Sequence, residues 1–141
     1  MNQLAPPVDK MLELIALGID CNNASATYCM TSTGYKLIAR PYLSFSSLFR
    51  RECCIPALTL SDILQMLPFK IDNYELSVHF GGDEPCVQYE DPETLLGLMY
   101  FYDKLPISAA YRALQHCAIS GYIKTQYYDE RPIPGKCSTT R

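Results

Sequence analysis

The sequence predicts a single-domain α+β fold, with short helices packed on small antiparallel hairpins. Three observations predict it. Apolar residues recur at helical spacing in segments 8–19, 59–68 and 108–120. They alternate with polar residues over 74–80, the period of a half-buried strand. Finally, 141 residues with 48% hydrophobic and 19% charged composition are the ordinary make-up of one globular domain. A chain of that size buries about two thirds of its unfolded surface, so it needs neither disulfide nor metal to fold.

In chain order, Val8, Met11, Leu12, Ile15 and Ile19 form one helical face, with Asp9 suited to the N-terminal dipole. Pro6-Pro7 excludes an earlier start. Ser25–Met30 and Tyr35–Arg40 read as strands around Thr31-Ser32-Thr33-Gly34. Residues 41–54 read as a loop with a turn of helix near Leu48-Phe49, because Pro41 and the serines at 44, 46 and 47 favour local backbone bonds. Thr59 with Asp62 forms a capping-box signature, followed by the stripe Leu60, Ile63, Leu64, Leu67 and the stop Pro68. Leu64 is the expected anchor of that stripe. Tyr74–Phe80 and Pro85–Asp91 then make a hairpin about the turn Gly81–Glu84, with Val87 and Tyr89 inward.

For 91–105, Asp91-Pro92 looks like an N-cap with proline at N1 and predicts a helix. The run at 95–102 is apolar all round and rich in aromatics, which leaves a buried strand as the alternative. Ser108 caps the last helix, Leu114 anchors it beside Tyr111 and Ala118, and Gly121 fits its C′ position. The division is a domain over 1–124 and an irregular tail over 125–141.

Several functions are excluded or disfavoured. No run of about 20 apolar residues could span a bilayer. No basic segment followed by an apolar one opens the chain, which predicts a cytoplasmic protein. A net charge of −3 argues against a broad nucleic-acid surface. Nucleic-acid binding through Lys36, Arg40, Arg50, Arg51 and nearby tyrosines is kept as an alternative. No phosphate-loop, zincin or hydrolase-elbow motif occurs, and no cofactor is expected.

The seven cysteines (21, 29, 53, 54, 86, 117 and 137) have no C-x-x-C spacing, and adjacent Cys53-Cys54 make a poor chelate. They are expected to be free thiols acting as small hydrophobes, without metal or disulfide. His79 lies on the polar strand face with Glu75 and Ser77. A small enzyme using His79 with Glu75, or a cysteine, is therefore the catalytic alternative.

Charge patterning is the stronger signal. Asp72, Glu75, Asp83, Glu84, Glu90, Asp91, Glu93 and Asp103 lie in a stretch with no lysine or arginine from 71 to 103. Such a hairpin steers a basic partner. Tyr127-Tyr128 in the tail add amphipathic surface of the kind enriched at interfaces.

Scattered matches connect the chain with a known group. They are Leu12-Glu13-Leu14, Leu17-Gly18-Ile19, Ile55-Pro56-Ala57, Leu60-Ser61, Leu64, Leu67-Pro68, Asn73-Tyr74-Glu75-Leu76, Ala109-Ala110-Tyr111 and Gly121-Tyr122-Ile123-Lys124. With these the sequence resembles small uncharacterised proteins of phage and mobile elements. Segment 81–107 departs from the pattern and the tail lies beyond it. The resemblance implies no activity and no catalytic residue. The expectation is a non-enzymatic accessory protein of a mobile element. It would bind a partner protein of basic character, or a second copy, through Asp83, Glu84, Glu90, Asp91, Tyr127 and Tyr128.

Overall fold

Pro7 and Gly18 bracket the first helix, α1 (Val8–Ala16). The computed structural model describes residues 3–126. Gly18 takes φ 91°, in the left-handed region that side chains disfavour. Its N–H bonds Ile15 O (2.9 Å) and that of Ile19 bonds Leu14 O (3.2 Å), a double closure that ends the helix. The stripe expected to run through Ile19 therefore stops at Ala16, and Ile19 is buried beyond the cap in the same core as Leu14.

β1 (Ala26–Thr31) and β2 (Gly34–Ile38) form the expected hairpin, with Thr31 paired to Gly34 across Ser32-Thr33. A 3-10 turn at Tyr42–Ser44 and α2 (Ser47–Cys53) follow, and then β3 (Cys54–Ala57) pairs antiparallel with β1. The sheet order is β2-β1-β3. The loop reading of 41–54 is corrected by α2, which extends the single turn expected near Leu48-Phe49 to Ser47–Cys53, and β3 after it was not expected. Pro56 speaks against a strand in sequence, yet it is admissible on a sheet edge, where its missing N–H costs no ladder bond.

α3 (Leu60–Met66) begins with the predicted capping box in full. Its buried side is Ile63, joined by Leu67 after the last turn, while Leu64 is only half-buried. The anchor is thus one residue earlier than the stripe suggests.

The second sheet has the order β4-β5-β6-β7, all antiparallel, from β4 (Lys70–Ile71), β5 (Tyr74–His79), β6 (Cys86–Glu90) and β7 (Gly97–Tyr102). Val87 and Tyr89 are fully buried, as expected, and Tyr89 donates its hydroxyl to Pro68 O (2.7 Å). The helix expected after Asp91 is replaced by β7. Asp91 does cap, accepting from Glu93 N (2.9 Å), and Leu95 N reaches Asp91 O (2.7 Å). After that single turn Leu95 swings to φ 63°. This reverses the chain, and the apolar run pairs with β6 instead of continuing helically.

α4 (Pro106–Ile119) lies across β6 and β7 and packs on α3. It starts before the expected cap. Leu105 is the N-cap and Pro106 takes N1, where a missing N–H is harmless. Gly121 at φ 80° closes its C-terminus, with Tyr122 N bonding Cys117 O (2.8 Å), as the glycine predicts. One interior joins both sheets to the helices through Met11, Leu14, Ile63, Tyr89, Leu114 and Cys117. Gln126 N closes on Gly18 O (2.8 Å). Of the expected tail over 125–141, Tyr127, Tyr128 and all that follows lie outside the described residues.

Candidate protein-interaction surface

The expected acidic hairpin is divided by the register of its strands. Glu75 pairs with Glu90, so Asp72, Glu75, Glu90, Asp91 and Glu93 gather at one end of the second sheet. Asp83 and Glu84 are exposed at the opposite end, with half-buried Asp103, whose N–H reaches Pro85 O (3.1 Å). Among the described residues only Lys70, opposite Glu75, offsets the first group. Lys104 and Arg112 stand near the second. The Glu90–Glu93 end is therefore the more negative. Glu90 and Asp91 are half-buried, and Asp91 spends its carboxylate on the turn. Of the sequence-predicted site, Asp83 with Glu84 and Glu90 with Asp91 form two patches rather than one.

Between them runs β7, about 20 Å long at strand rise. It is an edge strand. Its α4-facing side chains Met99 and Phe101 are half-buried, while Leu98, Tyr100 and Tyr102 are exposed at 39–48%. Tyr100 and Tyr102 stack at 6.4 Å. The preceding Leu95 and Leu96 are two-thirds exposed. Sequence reasoning missed these five residues because an all-round apolar run reads as buried. The available signal was the aromatic content of 100–102, which favours strand over helix.

The backbone of this edge is also accessible to a partner. Asp103 N points to β6, so Tyr102 O, in the same peptide unit, points outward, and Arg112 Nη1 donates to it (2.6 Å). By strand alternation the N–H and C=O of Tyr100 and the N–H of Tyr102 point outward too.

The catalytic candidates are arranged differently. Glu75, Ser77 and His79 share the outer face, as alternation requires, but His79 Nε2 pairs with Ser77 Oγ (3.0 Å) on exposed surface. The register sets His79 opposite Cys86. The Cys86 thiol is turned to Gln88 Oε1 (3.5 Å), and burial pushes its pKa up, which keeps it protonated. His116 is exposed on α4, 5.5 Å from the Phe101 ring. A cleft of about 430 Å3 between the starts of α1 and α4 is lined by Lys10, Asp103, Ser108, Tyr111 and Arg112 among others. Its cations are engaged: Lys10 lies 3.8 Å from Glu13, and Arg112 holds Tyr102 O.

Among the basic residues kept for nucleic acid, Arg50 donates to the Phe45 and Leu43 carbonyls and Arg40 covers the Phe45 ring at 4.7 Å. Both hold the 41–50 segment in place. Among the described residues no three His, Cys, Asp or Glu side chains gather as a metal site, and no helix is long and apolar enough to cross a membrane. Compared with models of protein families, with curated proteins and with solved structures, the chain finds no match.

Proposed function

We propose that the protein is a non-enzymatic interaction module that takes up an extended segment of a basic partner protein along β7. The carrying observation is the contrast between β7 and the other sheet edges. β2 carries Lys36 at its centre, β3 carries Pro56, and β4 is only Lys70-Ile71. Lysine, proline and shortness are the usual means of keeping an edge unpaired. β7 has six residues, no charge and no proline, with Leu98, Tyr100 and Tyr102 outward. Strand addition supplies main-chain bonds, and alternate side chains supply selectivity.

Charge selects the occupant. A second copy pairing antiparallel would bring its Asp83–Asp103 end, which Lys104 and Arg112 only partly offset, beside the acidic Glu90–Glu93 end. A segment with basic residues flanking an apolar centre meets both ends favourably, and most strongly at Glu90–Glu93. An accessory role in a mobile element rests on the sequence resemblance and belongs to the same proposal.

The test is a library of alternating apolar peptides flanked either by lysine or by glutamate, read by fluorescence anisotropy and amide chemical shifts. Lysine-flanked members should bind and shift β7 resonances. Tyr100→Lys should abolish the signal, and reversal of Asp83 and Glu84 to lysine should slow association at low salt. Equal binding of both libraries, shifts centred on β2, or a β7-mediated dimer would refute the reading.

A further inference from the structure

Two thiols that lie 25 positions apart in sequence are brought face to face. Cys29 on β1 and Cys54 on β3 are register partners, and their Sγ atoms are 3.3 Å apart. Both are buried free thiols. The kind of pair they form follows from Pro56. Thr27 is paired with Pro56, which has no N–H to donate, so that pair is of the non-hydrogen-bonded kind. Pairs alternate along an antiparallel ladder. Tyr28–Ile55 is then hydrogen-bonded, and Cys29–Cys54 is again non-hydrogen-bonded, the kind that brings opposing side chains closest. Its Cα separation, about 4.5 Å, lies inside the range a disulfide spans.

β3 is buried along its whole length, so reagents reach the pair by local opening. β3 is an edge strand, and α2, which runs directly into Cys54, buries none of its side chains. Cys53, at the junction, is half-exposed. An element held this lightly opens locally far more often than the whole fold does.

We propose that Cys29 and Cys54 form a latent dithiol that closes to a disulfide by exchange with a small oxidised disulfide of the glutathione class, fastening β1 to β3. The thiolate of one cysteine attacks a sulfur of the small disulfide, giving a mixed disulfide and one released thiolate. The second cysteine attacks the protein sulfur of that mixed bond and releases the other small thiolate. Two protein thiols are oxidised and one small disulfide is reduced to two thiols, which carry away the two protons. Burial, aided by the neighbouring Cys29, pushes the Cys54 thiol up to about 12. Exchange is therefore slow in the closed form and proceeds through opening of α2 and β3. This makes the pair a fastener that responds to sustained oxidation rather than a fast peroxide sensor.

The inference is independent of the β7 surface and is tested on the full chain. The protein is incubated with glutathione disulfide at mildly alkaline pH, with and without sub-denaturing urea. Remaining thiols are then alkylated under unfolding conditions, and peptides are mapped by mass spectrometry. Cys29 and Cys54 should become protected from alkylation and appear in one linked peptide, faster with urea. Cys53→Ser should leave the link intact. Cys29→Ser should abolish it, with Cys29→Ala in its place if the serine variant does not fold. The oxidised wild type should melt about 5 °C or more above the reduced protein, a shift lost in the Cys29 variant. Full alkylation of Cys29 and Cys54 after prolonged oxidation in urea overturns the proposal, and so does a dominant link through Cys53 or Cys86.

Discussion

Replacing Asp62 by alanine should lower stability more than its half-buried position suggests. Its carboxylate accepts three hydrogen bonds, and its backbone N–H donates a fourth. Thr59 N–H donates to Oδ2 (2.9 Å), completing the capping box whose other half is Asp62 N–H to Thr59 Oγ1 (3.2 Å). Ser25 N–H donates to Oδ2 (2.9 Å) and Ser25 Oγ–H to Oδ1 (2.7 Å). The side chain therefore caps α3 and also ties it to the entrance of β1. Loss of the reciprocal cap costs about 1 kcal/mol. The two Ser25 bonds add about 0.5–1 kcal/mol each, since water replaces them at a partly exposed site. The sum of roughly 2–3 kcal/mol corresponds to a fall of about 6–12 °C in the melting midpoint for a chain of this size. Acidity gives a second signature. Burial raises the Asp62 pKa, but the hydrogen bonds from Thr59 and Ser25 outweigh it and hold the carboxyl below its ordinary value. A lowered folded pKa means that the stabilisation is full above the unfolded value near about 3.9. It is lost as pH falls through the folded pKa. Chemical denaturation followed between neutral and acid pH should show this acid limb reduced in Asp62→Ala. Ser25→Ala should add little on top of the aspartate variant. A midpoint within a degree or two of wild type, or an unchanged acid limb, would refute the reasoning.

Urea unfolding of Leu114→Ala should show a loss of about 2–5 kcal/mol, because the side chain is fully buried. Leu64→Ala, at a half-buried position, should cost about 1 kcal/mol. Equal losses would mean that Leu64 is as deeply buried as Leu114 and that its half-buried placement on α3 is wrong. Gly121→Ala should cost about 1–2 kcal/mol through its φ of 80° alone, since an added Cβ would meet no atom within 4 Å. Gly121→Asn, which tolerates that region, should cost less than Gly121→Val in thermal melts.

The legible parts of the fold were those whose signal is local. The Thr59–Asp62 box, the strand signalled over Tyr74–Phe80, Gly121 and the hairpin about Ser32-Thr33 each rest on a few neighbouring residues, and each is present, although Val78 is exposed where the alternation set it inward. The missed parts are set by distant partners. β3 is four residues long and contains Pro56, so only pairing with β1 makes it a strand. The helix reading of 91–105 rested on a real Asp91 cap, and it failed because β6 offers the following apolar run a ladder that no local pattern announces. The candidate site shows the same division. Asp83, Glu84, Glu90 and Asp91 were identified from charge alone, whereas their separation into two ends depends on strand register. Tyr127 and Tyr128 lie outside the described residues.

The geometry of β7 also limits how a partner can engage it. Arg112 occupies the outward carbonyl of Tyr102, and the turn at Leu95 bends the chain away at the other end. The open ladder is thus about four residues, or roughly 13 Å. So short an edge supplies few main-chain bonds, each worth about 1 kcal/mol net. In the proposed complex most of the affinity must therefore come from side chains, and the exposed Leu95, Leu96, Leu98, Tyr100 and Tyr102 are the apolar area available for it. Leu95 holds a left-handed backbone with a large apolar side chain in solvent, an arrangement that favours neither folding nor solubility. Leu95→Gly should therefore relieve the backbone and leave the fold at least as stable while weakening peptide binding several-fold in the anisotropy titration. If stability falls and binding is unchanged, Leu95 serves the fold and the contact surface ends at Gly97.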